Sequence, residues 1–469
     1  MAASCAAMAG GFSKGDRVEM IKEAPLYFND TTLVRMAPKG EQFTVIGIRP
    51  EDHRVYLSAR DAAGKTIALN VGDDDVALVK VPASIPSTVS DTLKAHGNAS
   101  KDLPGGVAAD LPVSMRARTP EAARMRAITQ GGGKKESEAA VLKGLKWLAA
   151  QQDSDGSWAS ADKPAMTSFA LLAFLGHGET TVSADFGPTM QKAIDWLLKI
   201  GEENAKRPAA PAGMVFAMRA NDYMDGAFAH GIATFALGEY YTISKDERVT
   251  ELLSKAIRCI VVGQAADGGW HDDYSQGGES DTWTSIPQIQ ALKVAHLSGL
   301  KIDGVDAALD KAMRNLKRVQ ADNGSFGYRK AGDMDITFTG AGVFCTYLWK
   351  HERDRSVRDG IEHLLKQTEK EYPIDYHHAS VDLHAWYYGT QACFMLGGAA
   401  WNKWNRRFAD ELIRNQNPNG SWPPVAGKCP GGEPQRDPEG IGPCYRTSLC
   451  LLMLEVYYRY LPESAFGNH

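Results

Sequence analysis

The chain is predicted to be mainly α-helical, an (α/α)6 toroid of six helical hairpins with a small β-barrel at its N-terminus. Three observations carry this. Six aliphatic positions, Leu148, Leu197, Ile260, Leu316, Leu364 and Leu412, recur about 50 residues apart, a period that marks stacked supersecondary units. Each is followed by a second, more apolar segment, so every unit holds two helices. Residues 12–82 read differently, as short apolar runs broken by turn residues.

In that first region the runs RVEMI, TLVRM, QFTVIGI, RVYLS, TIALN and VALVK alternate with turn-rich pieces such as APKGE and DAAGK. Strands this short and this evenly spaced suit a small barrel. They carry no catalytic constellation, so the region is expected to bind or position something. Residues 83–135 are rich in Pro, Ala, Gly and Ser and end in TQGGGKK, which reads as a linker with a short helix at TPEAARMRAI. The repeats occupy 136–469.

Four units share one frame, aliphatic-x3-Gln-x3-Gly-x-aromatic. Its glutamines are Gln152, Gln264, Gln320 and Gln416, and its aromatics are Trp158, Trp270, Phe326 and Trp422. A glutamine late in a helix can bond the backbone of the following turn, while the aromatic covers the helix end. These residues are therefore expected to be staples. The second segments (TSFALLAFL, FAHGIATFALGEYY, TSIPQIQALKVAHL, TFTGAGVFCTYL, LHAWYYGTQACFML, RTSLCLLMLEVYYRYL) are the more apolar and should form an inner ring. The first segments, with Lys, Arg and Glu, should form the outer one. Closure of the ring leaves no exposed end unit.

A formal net charge of −5 and the lack of a dense Lys/Arg run exclude a nucleic-acid surface. No apolar stretch of about 18 residues is present to span a bilayer, which leaves peripheral membrane contact open. The opening MAASCAAMAGGF has neither the basic start nor the long apolar run of a secretory signal. It reads as a disordered tail, with the end of a signal as the alternative. Cys259, Cys345, Cys393 and Cys450 lie in apolar helical patterns and read as packing residues. Cys429 and Cys444 flank CPGGEPQRDPEGIGPC and are candidates for a disulfide, which would need an oxidising compartment. The cell envelope or periplasm is thus placed slightly ahead of the cytoplasm.

Candidate chemistry begins at GDMDITFTGAG, residues 332–342, where Asp333, Asp335 and Thr337 precede the inner helix of the fourth unit. Two readings stand: an N-cap, or an acid pair. Asp281-Thr282 holds a comparable place in the preceding unit without an acid motif. Trp283, Phe338, Trp386, Tyr387 and Tyr388 lie on inner helices, where they either fill the centre or face a cation. His230, Gln288, Gln391 and Arg446 are polar inner-helix residues that need partners if buried. Asp225, Asp382 and Glu239 are available to them. The runs His271-Asp272-Asp273 and Asp375-Tyr376-His377-His378 lack a closing ligand spacing, so no metal and no other cofactor is expected.

The repeated frame is similar to the QW repeat of the squalene-cyclase and prenyltransferase superfamily, over about 330 residues. FAHGIATFALGEYY, HAWYYGTQACFMLGG, WNKWN and LEVYYRYLP also resemble squalene-cyclase-like proteins of planctomycete-type bacteria. The GDRVE opening and strand spacing of the first region resemble bacterial Src-homology-type barrels. The superfamily resemblance implies an α/α toroid and a terpenoid cyclase-like isomerase. Its acid motif, Asp-x-Asp-Asp-Thr, is matched by Asp333, Asp335 and Thr337, with Ile336 where the last aspartate would stand. Such an acid protonates an alkene, which requires a carboxylic acid kept protonated and tuned by a second carboxylate and hydrogen-bond donors.

Asp335 is the expected donor, with Asp333 and Thr337 beside it. Trp283, Phe338, Trp386, Tyr387, Tyr388, His230 and Gln391 are the expected substrate contacts. The implied partner is an isoprenoid (squalene or a polyprenyl chain) or another apolar small molecule. Squalene cyclases complete their cavity with a second helical domain. Here a protein partner or a second copy of the chain would have to supply that wall. The zinc constellation of the protein prenyltransferases does not occur. The alternative is a non-catalytic toroid that binds lipid or protein. A polysaccharide lyase, suggested by GGW at 268–270 and DITF at 335–338, is a more distant third.

Overall fold

The computed structural model divides into two compact units, residues 1–87 and 88–469. It describes the strands between residues 17 and 78 by their backbone, together with residues 112, 115–159, 161–206, 214–216, 226–275, 279–333, 336–350, 355–425 and 442–460.

The first unit is a seven-stranded sheet of β1 Arg17–Met20, β2 Ala24–Phe28, β3 Thr32–Ala37, β4 Gln42–Arg49, β5 Arg54–Arg60, β6 Thr66–Gly72 and β7 Val76–Leu78. The order is β3-β2-β6-β5-β4-β1-β7, and every pairing is antiparallel. The strand absent from the sequence reading is β2, whose Pro25 argues against a central position. β2 meets β6 at Tyr27↔Asn70, while Pro25 is paired with Met36 on the β3 side. Register shifts at Leu26/Tyr27 and Val45/Gly47 bend the sheet.

The second unit is helical. A short helix α1, Glu121–Gln130, lies where TPEAARMRAI suggested one. The outer helices follow as α2 Lys135–Ala150, α4 Gly187–Ala205, α6 Thr250–Val262, α8 Val305–Arg318, α10 Arg355–Gln367 and α12 Gly398–Arg414. The inner helices alternate with them: α3 Lys163–His177, α5 Ala227–Ser244, α7 Thr282–Ser298, α9 Ile336–Lys350, α11 Leu383–Leu396 and α13 Gly442–Leu454, with α14 Val456–Arg459 last. Each inner helix packs on the next, and α13 returns to α3, where the Phe169 and Tyr445 rings meet edge-on at 5.1 Å.

The repeated frame holds this ring together. The indole N–H of Trp158, Trp270 and Trp422 donates at 2.8 Å to the carbonyls of Leu148, Ile260 and Leu412, the aliphatic positions of the same frame. Each glutamine amide bridges two carbonyls, one in its own turn and one near the start of the next outer helix. Gln152 joins Gly156 and Thr189, Gln264 joins Gly268 and Ala308, and Gln320 joins Gly324 and Ser356. Gln416 joins Gly420 to Ala140 of α2, in the first helical repeat, at 2.9 Å each, which closes the ring. The frame glycine is required on two counts at Gly268: its φ is +94°, and a Cβ would strike the Lys311 carbonyl.

Candidate functional site

The N-terminal ends of the inner helices carry buried carboxyls. Asp281 caps α7, accepting the Thr284 N–H at 2.7 Å. Asp382 caps α11 in the same way, accepting from the Ala385 N–H at 3.0 Å. Burial pushes both carboxyls above the usual carboxylate range, against the hydrogen bonds that favour ionisation.

Thr337, in the first turn of α9, donates its hydroxyl to Asp382 at 2.8 Å and so ties one unit's acid motif to the next unit's cap. Asp333 has a different task. Its carboxylate accepts the backbone N–H groups of Tyr328, Arg329 and Lys330 at 2.5, 2.8 and 3.1 Å, which clamps the loop before α9. These bonds occupy both carboxylate oxygens. Asp335 lies outside the described residues, directly ahead of Ile336, the first residue of α9.

Beneath the caps, aromatic rings run around the inner face of the ring. Phe169 meets Phe228 at 6.4 Å, Phe228 stacks on Trp283 at 4.6 Å, and Trp283 meets His384 at 4.6 Å. His384 contacts Tyr388 at 4.9 Å, and Tyr388 contacts Phe344 at 6.1 Å. With Tyr445 against Phe169, all six inner helices contribute a ring. These separations suit edge-on and offset aromatic packing.

The other expected contacts are distributed differently. Phe338 stacks on Tyr328 at the loop beside α7 and α9. Trp386 faces outward, packing with Leu364 and Trp404 around a crevice of about 10 Å³ between the two rings. Tyr387 accepts from Arg459 at 3.3 Å, deeper in the ring.

His230 does not pair with an acid. One ring nitrogen accepts the Val215 N–H at 3.2 Å and the other donates to the Ala256 carbonyl at 3.1 Å. Burial holds it neutral, with its pKa lowered to about 4. Both nitrogens are thus engaged by backbone and neither is left for a substrate. Gln288 likewise bonds the Ala227 and Thr284 carbonyls, and Arg446 the Trp422 carbonyl. Gln391 is wholly buried, and its amide donates to the Tyr387 carbonyl at 3.4 Å.

At the opposite, C-terminal ends of the inner helices the structure holds a charge network that no local sequence pattern announces. Arg118 pairs with Glu239 at 2.9 Å, and Arg459 approaches the same carboxylate at 3.6 Å. Burial would raise the Glu239 pKa, but the two guanidinium groups outweigh it and hold the carboxyl low. His177 lies between Glu138 and Glu179 at 3.1 and 2.8 Å. Glu455 is buried beside them, its pKa raised to about 8 by desolvation.

Among the described residues, His271, Asp272 and Asp273 are the group whose ligand atoms converge within 4.8 Å. His271 and Asp273 are tied to one another, and Asp273 also accepts from the Ser275 N–H. Cys444 is buried, its sulfur 4.0 Å from the Met166 carbonyl, while Cys429 lies outside the described residues. No helix among the described residues is long and apolar enough to cross a membrane.

Residues 137–337 match a family model described as a domain of unknown function, DUF6288. The chain is 22% identical over 201 residues to a probable squalene–hopene cyclase of Sinorhizobium fredii (strain NBRC 101917 / NGR234), covering 41% of this chain and 31% of that protein. The helical unit is an α/α toroid with weak sequence similarity to that cyclase over those 201 residues. The chain spans about a third of the length of that curated relative.

Among solved structures, the toroid aligns with an inactive variant of an α-1,6-mannanase of Salegentibacter sp. HEL1_6 (11% identity, 69% of this chain and 100% of that one, TM-score 0.49). It also aligns with the type II terpene cyclase MstE of Scytonema (13% identity, 70% and 98%, TM-score 0.44).

His384 and Gln290, both at the toroid's centre, were missed by sequence reasoning. The signal was present in the spacing: His384, Tyr388 and Gln391 fall at i, i+4 and i+7, one face of α11.

Proposed function

We propose that the toroid is a terpenoid cyclase-like isomerase that protonates an alkene of an isoprenoid chain. The observation that carries this reading is the hydrogen bond from Thr337 to the buried Asp382. The superfamily motif has its last aspartate where this chain has Ile336. Asp382, reaching from the next unit to Thr337, is read as supplying that carboxyl instead.

Asp335 is then the proton donor. Its O–H proton passes to an alkene carbon, the C=C electron pair forms the new C–H bond, and the cation is left on the neighbouring carbon. Burial keeps such acids protonated, and Asp382, which accepts from Thr337 and whose pKa is raised by burial, is read as the second carboxyl that tunes the donor. The rings of Phe228, Trp283 and Tyr388 provide faces for cation–π stabilisation. The repeated Gln…Trp frame is read as the QW repeat that holds the ring rigid, and the N-terminal sheet as a small barrel that tethers or positions the enzyme.

The test is to incubate the full chain with squalene and with shorter polyprenyl chains, and to compare Asp335→Asn and Asp382→Asn. Asparagine caps a helix about as well as aspartate, so the second variant removes the acid and keeps the cap. Cyclised product from the native chain, lost in Asp335→Asn and reduced in Asp382→Asn, is expected. No product, or equal product from all three proteins, would sink the assignment. In that case the alternative, a toroid that binds lipid or protein without catalysis, would stand.

A further inference from the structure

We propose that the axis of the toroid recognises an apolar chain bearing one uncharged hydrogen-bonding group, such as a hydroxyl, in preference to a bare hydrocarbon. The proposal rests on the isoprenoid reading and narrows its substrate class.

Two inner helices repeat one arrangement. On α7, Trp283 is followed seven residues later by Gln290, and on α11, His384 is followed seven residues later by Gln391. Seven residues are two helical turns, so in each pair the ring and the amide share a face, about 10 Å apart along the helix. The two helices are not neighbours, because α9 lies between them in the ring. Yet Trp283 meets His384 at 4.6 Å, and the Tyr388 hydroxyl donates to Gln290 Oε1 at 2.9 Å. Those contacts reach past α9 across the inner side of the ring, so these faces point to its axis.

Three polar atoms on the two faces have no protein partner: Gln290 Nε2, His384 Nδ1 and Gln391 Oε1. Their residues are 1%, 4% and 0% exposed. Buried polar atoms without a partner are rare and face either water or a ligand. One of the three is a donor, one an acceptor, and the imidazole nitrogen takes either role according to its tautomer. The two glutamine atoms, a donor and an acceptor, complement a group that both donates and accepts, while His384 offers a separate contact two helical turns away.

The site offers that group no charge of its own. His384 is held neutral, its pKa lowered to about 3 by burial. The rings around it would take the apolar remainder of the ligand, and Trp283, partly exposed, marks where the axis meets solvent.

The experiment is a binding titration of the full chain with geranylgeraniol and with the hydrocarbon of equal length lacking the hydroxyl, both delivered in cyclodextrin and read by tryptophan fluorescence. The alcohol should bind at least about tenfold more tightly, because the hydrocarbon leaves the glutamine atoms unpaired. Gln290→Met and Gln391→Met, on different helices and close in shape to the native side chains, should each shrink that ratio toward unity by weakening alcohol binding and strengthening hydrocarbon binding.

Equal binding of the two probes, or a preference that persists in both variants, would overturn the proposal and leave the axial atoms to water. Such a result would not touch the isoprenoid reading. Failure of both probes to bind the native chain would overturn the two together. Unchanged unfolding midpoints establish that the variants are folded.

Discussion

The two ends of the inner ring solve the same backbone problem with opposite charges. At the N-terminal ends, free helix N–H groups are met by acceptors, as Asp281 and Asp382 show. At the C-terminal ends, free carbonyls are met by cations: Arg118 donates to the Leu175 and Arg459 carbonyls, and Lys245 to that of Ser298. The C-terminal end is a network in which Glu239, Glu138 and Glu179 each meet a cationic partner. At the other end Asp281 and Asp382 are buried carboxyls held by amides and hydroxyls. Paired buried charge fixes structure, whereas a buried acid without a base is chemically available. Glu455, its carboxyl buried at the C-terminal end without a hydrogen-bond partner among the described residues, is the exception to a contrast that otherwise separates the end that stabilises the toroid from the end proposed to act.

The sharpest way to break the contrast is to remove Arg118. Arg118→Met leaves Glu239 buried with only the longer Arg459 contact, and should cost about 3–5 kcal/mol of unfolding free energy. Asp382→Asn, which keeps an acceptor at the cap, should cost less than about 1 kcal/mol. Urea unfolding of both variants measures the difference. Equal losses would mean that the N-terminal end of the inner ring is as structural as the other.

Glu455 gives the next largest effect, and its sign is fixed by linkage. Its folded pKa, about 8, lies above the ordinary 4.5 because burial disfavours the carboxylate. The folded state therefore holds the proton more tightly than the unfolded chain. The stability this contributes is complete below about pH 4.5 and is lost as pH rises through about 8. Arg118, Arg459 and His177 moderate the loss, and Glu138 adds to it. Glu455→Gln should thus match the native chain at low pH and exceed it by a few kcal/mol near pH 9. Unfolding midpoints across that range check it, and parallel curves for the two proteins would remove Glu455 from the account.

How much of this was legible in the sequence follows from the range of each interaction. The toroid was, because its period is local: Leu148, Gln152, Gly156 and Trp158 lie within eleven residues, and their hydrogen bonds join the same positions. The caps were partly legible, since Asp281 precedes its helix directly. The bond from Thr337 to Asp382 spans 45 residues, and Arg118 meets Glu239 across 121. Neither follows from a spacing rule, and Arg118 comes from a stretch whose composition reads as linker. His230 misled for the opposite reason: a histidine in an apolar helix suggests a site, yet its partners are backbone groups that composition cannot show.

Smaller effects test the staples. Trp270→Phe keeps a ring in place but leaves the Ile260 carbonyl without its indole donor, which should cost about 1–2 kcal/mol. Phe326, the copy that has no ring N–H, already shows that an aromatic without the donor fits this position. Denaturant midpoints of Trp158→Phe, Trp270→Phe and Trp422→Phe should fall together. Activity should not change, because these side chains lie away from the axis.

The smallest expected effect bears most directly on the acid end. Thr337→Val deletes the hydroxyl that donates to Asp382 and keeps the side-chain volume. That hydrogen bond is one of the influences lowering the Asp382 pKa against burial, so its loss should raise the pKa further. A protonated Asp382 would then persist to higher pH. If the carboxyl takes part in turnover, the alkaline limb of the pH–rate profile should move upward by less than about one unit, with little change in stability. A pure cap would lose a few tenths of a kcal/mol and leave the profile where it was.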